Sequence, residues 1–303
     1  MNLILCKGGE YDYLTKLAIK CTLNKKNLNY ISAKKMRENY KGNIFSPMGE
    51  NDFLTTYKDK EKGYIFEGRF SQGIVSINLP QIAIIADGDE SKFWELLDER
   101  LDLCFEALMC RHYSLVGTVA QVSPLQWMYG GIARLKKEDT INSLLYNGYS
   151  TIGLGYVGIY EMTELMKGMS QLETEGHKFA IKVIKHIKET LDKWKEKTNI
   201  EFVLCGVNSE KAKEKFAKKD KEKYGTIKGI TDKTAYTGSY FVPESVSTDV
   251  YEKLFLENEF QKLSSGGAIS CVKMKNVKDE TELEDIIKFA YINTQYVKVV
   301  VDK

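Results

Sequence analysis

The sequence has few of the residue patterns that mark metal-binding or disulfide-stabilised proteins. It contains six cysteines and three histidines, and no two cysteines form a Cys-x-x-Cys pair. Both residue types are scattered along 303 residues, so their spacing predicts no metal site. The wide separation of the cysteines instead predicts reduced and mostly buried thiols.

Long apolar runs and a strong charge of one sign are also missing. No run approaches the ~18 residues that cross a bilayer. The segment 3–6, Leu-Ile-Leu-Cys, is too short for the apolar part of a signal peptide. The formal net charge is only +2, which is too small to indicate a nucleic-acid or membrane partner. We therefore expect a cytoplasmic chain with no nucleic-acid partner and no membrane partner.

What the sequence does contain is an alternation of strand-like and helix-like segments. Apolar residues recur at helical spacing in some segments, and short apolar runs that favour strands lie between them. Strands are predicted over 73–85 with an interruption at Pro80, 200–205, 268–274 and 297–301, and an extended segment over 116–128. Helices are predicted over 11–25, 32–39, 90–114, 138–146, 159–167, 173–197, 209–224, 248–263 and 281–296. This order is typical of parallel α/β architecture, and the absence of a linker or repeat predicts a single domain over 1–303.

A glycine-rich stretch, NGYSTIGLGYVG, occupies residues 147–158 and precedes a predicted helix. Its backbone N–H groups could cradle a phosphate at the start of that helix. No Gly-Lys-Ser/Thr follows, so it is not a Walker loop. A glycine-rich segment of a packed sheet is an equally good interpretation, and the sequence leaves both open.

The most recognisable stretch runs from 41 to 80. It reads KGNIFSPMGENDFL, then a lysine-rich turn, then FEGRFSQGIVSINLP. Together with FWELLDERLDLCFEAL, YSTIGLGYVGIYE, EKYGTIKGITDKTAYTGSYFV and YEKLFLENEFQKLSSGGAIS, it resembles the anaerobic, glycyl-radical ribonucleoside-triphosphate reductases. The similarity extends over nearly the whole chain, from about Tyr11 onward.

The resemblance implies a fold and a reaction. The fold would be part of a ten-stranded α/β barrel with an internal finger loop, here at about 41–80, so that the chain is a fragment-like portion of the catalytic barrel. The activity would be the reduction of ribonucleoside triphosphates to deoxyribonucleotides by radical chemistry. In the family a finger-loop cysteine forms the thiyl radical that attacks the ribose.

This chain departs from the family at the reactive position. Glu50, flanked by Met48 and Asp52, stands where the family has the cysteine. Ser71 replaces a substrate-facing asparagine, and residues 238–241 read Gly-Ser-Tyr-Phe where the family usually reads Asn-Ser-Tyr-His. A carboxylate lacks the one-electron chemistry of a thiol, and two acidic groups in the loop would repel a triphosphate. No catalytic residue is therefore expected to be intact.

Other functional groups follow from the resemblance alone. The residues proposed for substrate binding are Ser71, Asn78, Ser264, Ser265, Gly266 and Gly267. No cofactor or metal is expected in this chain, because the family's glycyl radical and zinc belong to a C-terminal part beyond it. Partners implied are a ribonucleoside triphosphate, a radical-SAM activase and a complementary reductase chain. We also expect partly exposed apolar surface at 3–6 and 297–301.

Three functions remain open at this stage. The chain is a reductase subunit that needs its missing groups from elsewhere, a non-catalytic homologue that binds a nucleotide or partner, or a remnant of a split gene. The substitutions at Glu50 and Ser71 favour a chain that is incomplete or inactive by itself.

Overall fold

A computed structural model describes residues 2–6, 12–24, 28–47, 53–130, 132–206, 210–275 and 280–302. Its strands are β1 (Asn2–Leu5), β2 (Leu28–Ser32), β3 (Tyr57–Asp59), β4 (Gly63–Ile65), β5 (Ser71–Asn78), β6 (Thr151–Val157), β7 (Glu201–Cys205), β8 (Ser270–Lys275) and β9 (Tyr296–Asp302). Its α-helices are α1 (Asp12–Leu23), α2 (Ala33–Asn39), α3 (Leu79–Ala86), α4 (Glu90–Tyr113), α5 (Pro124–Trp127), α6 (Ile159–Lys167), α7 (Thr174–Thr198), α8 (Glu210–Tyr224), α9 (Val250–Leu263) and α10 (Glu280–Asn293).

The described strands outside the β3–β4 hairpin form two sheets, which are linked to each other. The first sheet, β5-β6-β7, is parallel throughout. The second has the order β1-β2-β9-β8, in which only the β2–β9 pair is antiparallel. A parallel bridge between Gly206 and Ala268 links the end of β7 to the approach to β8. The predicted α/β class with parallel strands is therefore confirmed.

The main core lies between β5–β7 and the helices α4, α6 and α7. Phe93 and Leu97 from α4, and Val183 and Ile184 from α7, are fully buried there beside Leu154 of β6. The apolar residues of α7 recur every three or four positions, and the exposed positions between them are mostly charged. This one-sided pattern explains why the sequence predicts α7 almost to the residue.

The strand ends just before Pro80, as predicted, but the prediction that residues 81–85 are also strand-like is wrong. The strand ends at Asn78, and residues 79–86 form α3. The side chain of Asn78 accepts a hydrogen bond from the backbone N–H of Gln81, and Pro80 lies in the first helical turn. Both features favour the start of a helix. A short apolar run that is buried on most sides does not distinguish strand from helix.

Four other expectations need correction. The predicted helix over 138–146 is only a short 3-10 turn at Ile141–Leu144. The prediction of mostly buried thiols is wrong, since of the six cysteines only Cys104 and Cys205 are buried. Residues 116–128 are not extended, because Ala120–Val122 forms a 3-10 turn and α5 follows it. Apolar surface is exposed at Ile4 of the edge strand β1, as expected, but Val297 and Val299 are buried. They are buried because β9 lies inside the sheet, between β2 and β8.

Among the helices of the described ranges, none is long and apolar enough to cross a membrane.

Candidate functional site

The carboxyl ends of β5, β6 and β7 lie side by side, since these strands are parallel and in register. Ligands of parallel α/β sheets bind at this edge. Three segments from later in the chain reach the same edge. Gly238 forms a bridge with Val157, Gly206 pairs with Ala268, and the turn 264–267 follows the end of β7.

The sheet face turned away from α4, α6 and α7, here called the inner face, carries small side chains. Ser76, Gly155 and Cys205 lie in one row across the three strands. A Cβ at Gly155 would come within 3.0 Å of the Ser76 Oγ, and one at Gly153 within 2.8 Å of the Cys205 Sγ. The two glycines therefore leave room on this face for the side chains of Ser76 and Cys205.

These contacts decide between the two interpretations of the glycine-rich stretch. Residues 151–157 form the buried strand β6 rather than a loop. The N–H groups of Gly158 and Ile159, at the start of α6, donate to the carbonyls of Thr237 and Ser239 at 3.0 Å each. Because the chain itself uses these donors, they are not free to cradle a phosphate. The structure supports the packed-sheet interpretation.

The turn 264–267 runs along β7 as a further strand would. The Gly266 N–H donates to the Leu204 carbonyl at 2.8 Å, and the Gly206 N–H donates to the Gly267 carbonyl at 2.7 Å. A Cβ at Gly266 would lie 2.6 Å from atoms of Val203 and Cys205, so only glycine permits this approach. Ser264 is buried and its Oγ lies 3.0 Å from the Tyr156 hydroxyl oxygen, whereas Ser265 is half-buried.

The two described arms of the finger segment meet beside this turn. Phe45 and Phe53 lie on either side of the undescribed residues 48–52, and their ring centres are 5.8 Å apart. Phe53 also packs against Tyr296, at 5.6 Å between ring centres. Its N–H donates to the Gly266 carbonyl at 3.0 Å. Met48, Glu50 and Asp52 themselves lie outside the described residues.

Arg69 fixes the return of the finger segment, a role that sequence reasoning missed. It is only 2% exposed, and its guanidinium donates to the carbonyls of Thr55, Gly148 and Tyr149 at 2.5 to 2.8 Å. Burial lowers the pKa of Arg69 to about 10, which leaves it cationic near neutral pH. The Gly-Arg-Phe motif was the available signal, since a buried arginine needs several acceptors.

Asn78 is tied to a buried carboxylate at the carboxyl end of β5. Its Nδ2 donates to Asp220 Oδ2 at 2.7 Å, and Gln81 Nε2 donates to Asp220 Oδ1 at 2.5 Å. The Tyr236 hydroxyl donates to Asp220 Oδ2 at 3.0 Å. Burial, and then the nearby Asp220 carboxylate, raise the pKa of Tyr236, which keeps the phenol protonated as a donor.

A second buried carboxylate holds the same loop. Glu161, in the first turn of α6, accepts from the Thr237 N–H at 3.0 Å and from the Thr237 hydroxyl at 2.5 Å. The Lys233 ammonium lies 3.6 Å from the Glu161 Oε1. Asp220 and Glu161 therefore fasten residues 233–237 to the carboxyl ends of β5 and β6.

Ser71 lies away from the other predicted binding residues. It begins β5, whereas Asn78 ends it, so they are about 23 Å apart along the strand. The Ser71 Oγ accepts a hydrogen bond from the Gly73 N–H at 3.2 Å. The structure thus brings Asn78 and the turn 264–267 to one edge of the sheet and places Ser71 at the opposite end.

Beside Ser71, a buried histidine escaped the sequence analysis. His112 is fully buried, and its Nδ1 lies 2.8 Å from the Gln72 Oε1. Gln72 Nε2 already donates to the Leu145 carbonyl and the Ser150 Oγ, so the Gln72 Oε1 is an acceptor and Nδ1 carries the proton. Burial lowers the pKa of His112, which keeps the imidazole neutral.

The described side chains were expected to hold no metal, because the resemblance places the family's zinc in a C-terminal part. Within those ranges, no group of three or more His, Cys, Asp or Glu side chains is placed to hold a metal ion. The zinc implied by the resemblance therefore has no fitting ligand set among these residues.

Comparison with known proteins gives one consistent result. Residues 3–302 match the family model for anaerobic ribonucleoside-triphosphate reductase. The enzymes of that name from Enterobacteria phage T4 and Salmonella typhimurium are 36% and 33% identical to this chain, over 303 and 302 residues. A solved anaerobic ribonucleotide reductase from Thermotoga maritima, in complex with dATP and CTP, has a TM-score of 0.71 at 20% identity.

These matches cover nearly all of this chain but less than half of each relative. The alignments cover 97% and 96% of this chain but 48% and 41% of the phage and Salmonella proteins. The match to the Thermotoga structure covers 98% of this chain and 46% of the Thermotoga chain. The chain therefore spans less than half the length of each of these three relatives.

Proposed function

Because this chain belongs to the anaerobic ribonucleoside-triphosphate reductase family, we propose that it forms part of a reductase barrel that holds a ribonucleoside triphosphate. The substrate would lie against the inner face and the carboxyl ends of β5–β7. Ser265, Gly266 and Gly267 would contact it on one side, and the finger loop would approach it from the other. The whole enzyme would convert it to a deoxyribonucleotide in the cytoplasm.

One observation carries this proposal. The hydrogen bond from the Phe53 N–H to the Gly266 carbonyl brings the finger segment to the turn beside β7. A loop and a strand edge that meet in this way form two walls of a site. The small inner-face residues Ser76, Gly155 and Cys205 supply the wall between them.

The radical chemistry is assigned to groups outside the described residues. The family is a glycyl-radical enzyme family, and the radical supplies hydrogen-atom abstraction from the ribose through a cysteine. Glu50 stands at that cysteine's position and cannot perform this step. We therefore assign substrate binding and orientation to this chain, and we expect turnover to need a complementary reductase chain and a radical-SAM activase.

Binding of CTP and ATP to the purified full chain, measured by isothermal titration calorimetry, tests the proposal. Ser265→Gln adds volume to the turn without changing charge, and it should weaken binding about tenfold or more. Ser114→Gln, an exposed change at the end of α4, is the matched control and should bind as the unchanged chain does. Equal binding by both variants would place the nucleotide elsewhere.

A further inference from the structure

A groove lies on the outer surface of α7, on the helix-covered side of the sheet and away from the inner face. Its volume is about 750 Å³, within the size range of small-molecule sites. One side of the groove is the exposed surface of α7 from His177 to Glu189. Trp94 of α4 and Glu259 of α9 contribute to the other sides.

Three lysines follow one another along the groove. Lys178, Lys182 and Lys185 are spaced four and three residues apart on α7, so they share one side of the helix over about 10 Å. Lys178 is paired with Glu175 at 2.7 Å. Within the part of the chain that the structure describes, neither Lys182 nor Lys185 has a carboxylate within ion-pair distance.

The Lys182 ammonium lies over an aromatic ring, 4.8 Å from the centre of the Trp94 ring. The His186 ring packs against Trp94, with 5.3 Å between the ring centres. The His186 Nε2 lies 2.6 Å from the Asp98 Oδ1. A cation that is already positioned loses less conformational freedom when it binds an anion.

The carboxylates of the lining lie at the two ends of the groove. Glu259 is 3.7 Å from His177 Nε2 at one end, and Glu189 follows Lys185 by one helical turn at the other. Lys182 and Lys185 therefore lie at the centre of the groove, beside the buried Ile181.

We propose that this groove binds an oligophosphate group, either free or as the phosphate tail of a nucleotide. Lysine ammonium groups bind phosphate as point charges, and two lysines without a carboxylate partner, about one helical turn apart, offer a separate cation to each of two phosphates. The half-buried Trp94 offers apolar surface to the organic part of a nucleotide. This inference does not rest on the proposed function, because the groove and the inner face lie on opposite sides of the sheet.

Calorimetric titration of the full chain at low salt tests the groove with three probes: tripolyphosphate, ATP and adenosine. The variant Lys182→Gln/Lys185→Gln should raise the dissociation constant for oligophosphate about tenfold. The control Lys193→Gln/Lys215→Gln removes the same charge at exposed lysines that do not line the groove. It should leave that dissociation constant unchanged, and added salt should weaken binding by the unchanged chain.

Each outcome has one meaning. Groove-dependent binding of both tripolyphosphate and ATP identifies the phosphate group as sufficient, and binding of ATP alone identifies a nucleotide as the ligand. Equal binding by the groove variant and its control would overturn the proposal. So would adenosine binding as tightly as ATP, or dissociation constants above about 1 mM for both phosphate probes. ATP binding lost in Ser265→Gln but kept in the groove variant belongs to the turn 264–267 instead.

Discussion

Asn78 donates a 2.7 Å hydrogen bond to Asp220, a fully buried carboxylate from a helix that follows it by 142 residues. The same carboxylate accepts from Gln81 and Tyr236. Asp220 therefore links the start of α3 to the loop that covers the carboxyl ends of β5 and β6. All three of these partners are neutral donors, so the arrangement depends on an acceptor with two free oxygens.

Asp220→Asn should destabilise the protein by about 2–4 kcal/mol, because one amide N–H₂ would face groups that already donate. Urea unfolding measures this loss, and limited proteolysis should show earlier cleavage within 225–241. Asp192→Asn is the control, since Asp192 is exposed and pairs with Lys188 on the same helix. A loss for Asp220→Asn that is no larger than the control's would show that the buried carboxylate does not hold the loop.

Arg69→Lys should destabilise the fold by about 2 kcal/mol, since a single ammonium cannot reach the carbonyls of Thr55, Gly148 and Tyr149 together. The β3–β4 hairpin, which precedes Arg69, should then become the first site of proteolysis. Arg100→Lys alters a half-exposed arginine that pairs with Glu99 and should change nothing measurable. Unchanged unfolding of Arg69→Lys would mean that the three carbonyls find other donors.

Glu257 should make stability depend on pH. Burial raises its pKa from 4.5 to about 7, against the opposing effect of Lys253 at 3.8 Å. Between these pH values the folded state holds a proton that the unfolded state has lost. The contribution of Glu257 to the free energy of unfolding should therefore be greatest below pH ~4.5. It should decrease by on the order of 3 kcal/mol as the pH rises through about 7.

The comparison of Glu257→Gln with the unchanged chain isolates this effect from other titrating groups. The free energy of unfolding is measured with urea at several pH values. It should no longer decrease with rising pH in Glu257→Gln. It should still decrease in Glu252→Gln, an exposed change on the same helix. A decline of equal size in Glu257→Gln would assign the pH dependence to other groups.

Local patterns predicted the elements whose burial is one-sided. The helices α4 and α7 and the strand β7 were found because their apolar periodicity is long or their boundaries are marked by charge and glycine. The pattern over 73–85 stays strand-like beyond Pro80, because an apolar run of this length has no periodicity when it is buried on most sides. Only the helix cap at Asn78 and the proline at position 80 indicate that this segment is a helix rather than a strand.

The candidate site was predictable in its loops and not in its long-range contacts. The serines and glycines of 264–267 indicate a turn, but the sequence does not predict that this turn lies against β7. No local pattern connects Asn78 with Asp220, or Arg69 with the carbonyls of 148–149, because these partners are distant in sequence and meet only through sheet topology. For the same reason the sequence could not show that Ser71 and Asn78 lie at opposite ends of β5.

The last prediction concerns turnover. The purified chain should form no deoxyribonucleotide, even with a radical-generating activase and formate or a thiol reductant under strict anaerobiosis. Glu50 removes the hydrogen-atom abstractor, and Ser71 removes the amide that the resemblance assigns to substrate contact. We measure product by chromatography of the nucleotides, with an extract lacking the chain as the control for host reductase.

Glu50→Cys alone should not restore activity, because Ser71 would still stand in place of the amide that the resemblance assigns to substrate contact. Glu50→Cys with Ser71→Asn, supplied with the radical domain of a relative, should form product if the finger loop is aligned correctly. Glu61→Cys with Ser71→Asn is the matched control, since Glu61 is exposed in the turn between β3 and β4. Product from the unmodified chain above the host background would show that Glu50 is not at the position of the thiyl cysteine.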